Sequence, residues 1–156
     1  MQRIFIHGLE SSGSGTKGRF FARHFPEVLR PDFSGDLATR MARLHALLAG
    51  GAPLVLVGSS YGGLMATLFA MDQPARLHRL VLLAPALNFP EFAAHGTGRV
   101  GVETWLYVGR SDTVTPAAAV EAAARQVFVN LHLRLVEDDH LLHAVFPRLD
   151  WPSLLG

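Results

Sequence analysis

Residues 53–71 read PLVLVGSSYGGLMATLFAM. The run Pro53–Val57 is apolar without alternation, as in a strand buried on both faces, and Leu64–Met71 is an apolar segment of helical length. Between them, two serines stand among glycines. The spacing Gly58-x-Ser60-x-Gly62 is that of a strand turning sharply into a helix around one strained, nucleophilic serine, with glycines where a side chain would meet the adjoining strand and helix. Centring the pattern on Ser59 would put Val57 and Tyr61 where the glycines are required. The spacing therefore selects Ser60 and leaves Ser59 as a turn or packing residue.

Similar short apolar runs recur at 3–7 (RIFIH), 79–84 (RLVLLA), 104–109 (TWLYVG) and 129–136 (VNLHLRLV), with a shorter candidate strand at 27–32 (EVLRPD). Segments of helical spacing separate them: TKGRFFARHF, DLATRMARLHALLA, YGGLMATLFAMD and PAAAVEAAARQ. Asp36 is placed to cap the second of these and Pro116 to open the fourth. Alternating strands and helices predict an α/β fold, a mostly parallel sheet of about six strands with helices on both faces. At 156 residues, with no linker or repeat, residues 1–156 read as a single domain.

The apolar share of 49% against a charged share of 17% predicts a packed core with some apolar surface left over. A net charge of +1 offers no broad basic face, which argues against nucleic acid as a partner. Cysteine is absent, removing disulfides and thiolate chemistry. The opening MQRIFIHG is broken too early to be a leader or a membrane span, so the cytoplasm is the expected compartment.

Ligands on such sheets bind beyond the carboxyl ends of the strands. A serine hydroxyl there needs a base, and the base needs an orienting carboxylate. Asp112 follows the strand at 104–109 and His140 follows the last strand, giving the chain order Ser, Asp, His expected on this kind of sheet. The assignment is Ser60 as nucleophile, Asp112 as orienting acid and His140 as base. Asp138 and Asp139 stay open as alternative acids, and His143 is placed inside a following helix. The Tyr61 and Leu9 N–H groups are the candidate oxyanion donors, with His7 and Gly8 shaping the turn before Leu9.

Two other chemistries fit less well. SGSGTKG lacks the lysine directly after the second glycine that a phosphate loop requires, and DDHLLH offers metal-ligand types without a further cluster to complete a site. No cofactor or metal is implied.

Together, FIHGLESS, LVGSSYGG, GRSDTVTP and EDDH resemble the small bacterial α/β-hydrolase serine esterases of the YqiA/YcfP-like group, and the resemblance spans nearly the whole chain. It implies a minimal α/β-hydrolase fold with little or no cap and an esterase acting on a small-molecule acyl substrate through Ser60, Asp112 and His140. Thioesters and amides are close chemical alternatives. Tyr61 departs from the leucine or methionine usual at that place, and its side chain is expected to narrow or polarise the site. Only residues 86–100 stand where larger relatives insert a cap. A missing cap leaves apolar surface, so the chain is expected as a monomer or homodimer. The competing class is a non-catalytic binding protein on the same scaffold.

Overall fold

A parallel strand covered on both faces needs apolar side chains at every position, whereas a helix laid on the sheet needs one apolar stripe. The computed structural model, which describes Met1–Gly156, follows that division. Five strands, β1 (Gln2–Ile6), β2 (Leu54–Ser59), β3 (Leu77–Leu83), β4 (Thr104–Gly109) and β5 (Leu131–Val136), form one sheet in the order β1-β2-β3-β4-β5. Every pairing is parallel.

The helices are α1 (Thr16–His24), α2 (Leu37–Leu47), α3 (Tyr61–Asp72), α4 (Pro90–Ala94), α5 (Ala117–Val127) and α6 (Trp151–Leu155). Strand side chains alternate between two cores. Ile4, Ile6, Leu56, Leu82 and Val108 pack toward α2, α3 and α5, while Phe5, Val57, Val81 and Tyr107 pack toward Phe21 of α1 and Trp151 of α6. The central helix α3 is apolar all round because it lies directly over β2 and β3 and is itself covered. Asp36 caps α2 by accepting a hydrogen bond from the Thr39 N–H at 2.9 Å, and Pro116 precedes the first residue of α5.

The expected sixth strand at 27–32 is reduced to one bridge. Leu29 N–H donates to the Arg3 carbonyl and the Phe5 N–H donates to the Leu29 carbonyl, at 2.9 and 2.8 Å. Continuing that ladder would need a donor two residues on, where Pro31 has no N–H. The bridge still matters for the site. It lies on the side of β1 away from β2, so the chain leaves β1 in one direction and crosses back to form β2 on the other. The carboxyl ends of β1 and β2 therefore flank the point where the connections diverge, which is where such sheets open a crevice.

No helix is long and apolar enough to cross a membrane.

Trp151 anchors the second core. Its ring is 1% exposed, lies 4.8 Å from the Phe21 ring and donates its indole N–H to the Phe146 carbonyl at 2.9 Å. Trp151→Ala is expected to cost about 3–5 kcal/mol of stability, measured as the shift in urea unfolding relative to wild type.

Candidate active site

Ser60 stands between β2 and α3 with φ 55° and ψ −116°, in the positive-φ half of backbone space that a residue with a Cβ rarely occupies. Its own peptide groups hold it there. Ser60 N–H donates to the Leu83 carbonyl at 2.9 Å, and its carbonyl accepts from Gly63, Leu64 and Ala86. The flanking glycines are required by close approach. A Cβ on Gly62 would strike the carbonyls of Ile6 and His7, and one on Gly58 would strike the Gly62 carbonyl, all of them backbone atoms. Helix α3 is thus pressed against the end of β1 while Ser60 faces the crevice.

Two loops, after β4 and after β5, bring side chains toward Ser60. The His140 Nε2 lies 3.0 Å from Ser60 Oγ, and the His140 Nδ1 lies 2.8 Å from Asp112 Oδ2. The Asp112 side chain is fully buried, whereas that of His140 keeps 18% of its surface exposed. With Nδ1 turned to a buried carboxylate, the imidazole proton sits on Nδ1, and Nε2 accepts the hydrogen bond that the Ser60 hydroxyl donates.

Asp112 is built into its loop. Its Oδ1 accepts from the N–H groups of Val114 and Thr115 at 2.9 and 2.7 Å, and its Oδ2 accepts from the Thr115 hydroxyl at 2.7 Å. Burial by itself pushes this carboxyl up, but the Thr115 N–H, the Thr115 hydroxyl and His140 together outweigh it and hold the group below the usual carboxylate range.

The other acids in the sequence are engaged elsewhere. Asp138 accepts from the N–H groups of Asp139, Ala144 and Val145, which shapes the turn carrying His140. Asp139 accepts from the Leu141 N–H and stands 3.4 Å from the exposed His143. His143 is in a turn and not in the helix expected there; only Phe146–Arg148 coil into a short 3₁₀ segment. Residues 138–143 do not converge as a metal site, and no cluster of three or more such side chains does so anywhere in the chain. Lys17 of α1 braces the turn by donating to the Leu141 carbonyl at 2.6 Å; desolvation pushes its ammonium down, opposed by Asp138 and Asp139.

The two candidate backbone donors are also located. Tyr61 is the first residue of α3, so its N–H has no intrahelical acceptor. Its side chain does not narrow the site: the ring is buried in the core beside Phe89 and the Arg40 guanidinium, and burial pushes its phenol up. The Leu9 N–H makes no hydrogen bond within the protein. The buried His7 governs the peptide before it. Its Nε2 accepts from the Phe33 N–H at 2.9 Å, so Nδ1 carries the proton and donates to the Gly8 carbonyl at 2.7 Å. In a trans peptide the Leu9 N–H then points to the opposite side from that carbonyl. A Cβ on Gly8 would lie 3.3 Å from the Ser60 Cβ, so this peptide passes directly beside the serine.

Sequence reasoning did not single out Thr115. Its position three residues after Asp112, with its hydroxyl and N–H both on that carboxylate, has a readable signal in the D-x-x-T-P pattern of a side-chain-stabilised turn.

The family model described as serine aminopeptidase, S33, matches residues 12–97, more than half of the chain and inclusive of the Ser60 turn. The chain belongs to this family. Its fold is that of the α/β-hydrolases, as solved structures of similar shape make plain. Alpha/beta hydrolase domain-containing protein 10 from mouse superposes with a TM-score of 0.81 at 17% identity, covering 98% of this chain and 87% of its own. Est1E from Butyrivibrio proteoclasticus, with ferulic acid bound, gives 0.79 at 15% identity over 98% and 86%. The monoacylglycerol lipase of Paleococcus ferrophilus gives 0.77 at 14% identity over 99% and 93%. At these identities the likeness is one of fold. No curated protein matches the sequence. The S33 match ends before Asp112 and His140, so the geometry of those two residues stands on the structure alone.

The depressed Asp112 carboxyl has a defined consequence for stability. A group whose folded value lies below its unfolded value, about 3.9 for aspartate, contributes stability that is present above that pH and lost as pH falls through the folded value. The stability difference between wild type and Asp112→Asn is therefore expected to shrink as the pH falls below about 4. Urea unfolding across that range checks this, and a difference that persists unchanged into strong acid contradicts it.

Proposed function

We propose that the chain, acting as one α/β-hydrolase domain, is a serine hydrolase that cleaves carboxylic esters of small or medium acyl groups through an acyl-enzyme. The observation that carries the reading is the continuous contact from Ser60 Oγ through both imidazole nitrogens of His140 to a buried, charge-holding Asp112. In this reading Ser60 Oγ attacks the acyl carbon as its proton passes to His140 Nε2. Asp112 stabilises the resulting imidazolium and keeps the ring in register. The Leu9 and Tyr61 N–H groups donate to the developing oxyanion. Collapse expels the alcohol, which takes the proton from His140, and water activated by the same histidine then releases the acid.

The surroundings support an apolar acyl group. Leu9, Val114 and Leu141, each one or two residues from a group of the site or itself a proposed donor, are 46%, 48% and 52% exposed. Large apolar side chains left in water so close in sequence to a polar site favour an apolar acyl group over a charged one. The groove of about 390 Å³ lined by Met41, Leu68 and Asp72 lies toward the far end of α3 from Ser60 and plays no part in this reading. The family's description and the relatives' names span peptide and ester hydrolysis. Thioesters and amides therefore belong to the same test as neighbouring substrates.

The test is hydrolysis of p-nitrophenyl esters from acetate to long acyl chains by wild type, Ser60→Ala, His140→Ala and Ser59→Ala. Ser60→Ala and His140→Ala are expected to lower kcat by about 10⁴-fold or more, while Ser59→Ala retains activity. Equal rates from wild type and Ser60→Ala across the esters, thioesters and amides would contradict the proposal and favour a non-catalytic binding protein.

A further inference from the structure

Thr115 is fully buried, and its hydroxyl has one proton but three polar neighbours. Oγ1 lies 2.7 Å from Asp112 Oδ2, 3.3 Å from the Ala84 carbonyl and 3.2 Å from His140 Nδ1. The shortest contact takes the proton at rest, so the hydroxyl donates to Asp112. Its lone pairs then face the His140 Nδ1–H, which already donates to the same carboxylate oxygen at 2.8 Å. Ala84 supplies the remaining acceptor from the end of β3, where its backbone is held at φ 45° by a hydrogen bond from its own N–H to the Tyr107 carbonyl. Nothing in the turn around Asp112 requires this arrangement, since the backbone N–H groups of Val114 and Thr115 already satisfy Oδ1.

We propose that Thr115 is a positioning residue for His140, its hydroxyl turning between Asp112 and the Ala84 carbonyl as the imidazole gains and loses charge. The inference rests on the serine-hydrolase reading. With a neutral imidazole the hydroxyl donates to Asp112 Oδ2 and keeps the carboxylate aligned with Nδ1. When His140 accepts the Ser60 proton, the Nδ1–H bond to Asp112 strengthens, and the hydroxyl turns to donate to the Ala84 carbonyl. Its lone pairs, which face the Nδ1–H in both states, give the imidazolium a second acceptor. No proton leaves Thr115 in either state, and no bond is made or broken at it. The methyl group contributes only packing, so serine retains the function and valine, of nearly the same shape, loses it.

The experiment measures kcat and KM on the best p-nitrophenyl ester for wild type, Thr115→Val, Thr115→Ser, Thr115→Ala and Ser60→Ala, with melting temperatures alongside. Thr115→Val is expected to lower kcat by about 10- to 100-fold with KM held within about twofold, while Thr115→Ser keeps kcat within about threefold. Thr115→Ala, which adds no atom, gives the hydroxyl-free comparison if the valine protein does not fold. A Ser60-dependent rate that the hydroxyl-free variants leave unchanged overturns this inference alone, as does an equal loss in serine and valine proteins. A rate that persists in Ser60→Ala overturns the serine-hydrolase reading and this inference with it.

Discussion

The backbone of Ser60 is the constraint around which the other loops are arranged. Holding a residue with a Cβ at φ 55° costs on the order of 1–3 kcal/mol, and a conformation of that kind persists only where its surroundings over-determine it. They do so from three directions. The end of β3 accepts its N–H, the chain at Ala86 donates to its carbonyl, and the glycines at 58 and 62 let β1 and α3 close to distances no side chain would permit. The same hydrogen bonds fix where Ala84 and its carbonyl lie, and through Thr115 that position reaches Asp112. The strained turn after β2 is thereby connected to the loop after β4.

The sheet was legible because fully buried parallel strands are continuous apolar runs, and Leu54–Val57 and Leu80–Leu83 are of that kind. Strand 27–32 misled for a reason equally local. Val28 and Leu29 have strand character, yet the proline two residues on removes the donor a ladder needs. Ser60, Asp112 and His140 were singled out because each follows a strand and their chain order matches the sheet. The structure then brings all three within hydrogen-bond distance in series. The competition among Asp112, Asp138 and Asp139 could not be resolved by sequence, because it depends on which carboxylate is used by nearby backbone N–H groups. Asp138 shapes the turn around His140, whereas Asp112 keeps one oxygen turned to the imidazole. Tyr61 looked like a wall of the site because of its neighbour in sequence; as the first residue of α3 its ring goes into the core.

His7 and Thr115 have in common that each fixes a neighbour instead of facing the crevice. His7 uses both ring nitrogens on backbone groups, setting the Gly8–Leu9 peptide, and Thr115 divides its hydroxyl between a carboxylate and a carbonyl. Such residues carry no periodicity and little motif, and become visible only when buried polar atoms are followed to their partners. The chain's brevity gives these internal contacts more weight. Between β3 and β4 there is only the one-and-a-half-turn α4, so little beyond the loops themselves orders the rim around Ser60.

The central claim is that Ser60 is a nucleophile activated by His140, and its most direct test is chemical. Wild-type protein would be exposed to a fluorophosphonate, weighed intact and digested to locate any adduct. The account predicts a single phosphonyl group on Ser60, absent from Ser60→Ala and formed far more slowly in His140→Ala. An adduct on Ser59, or none on a folded wild-type protein, would contradict it.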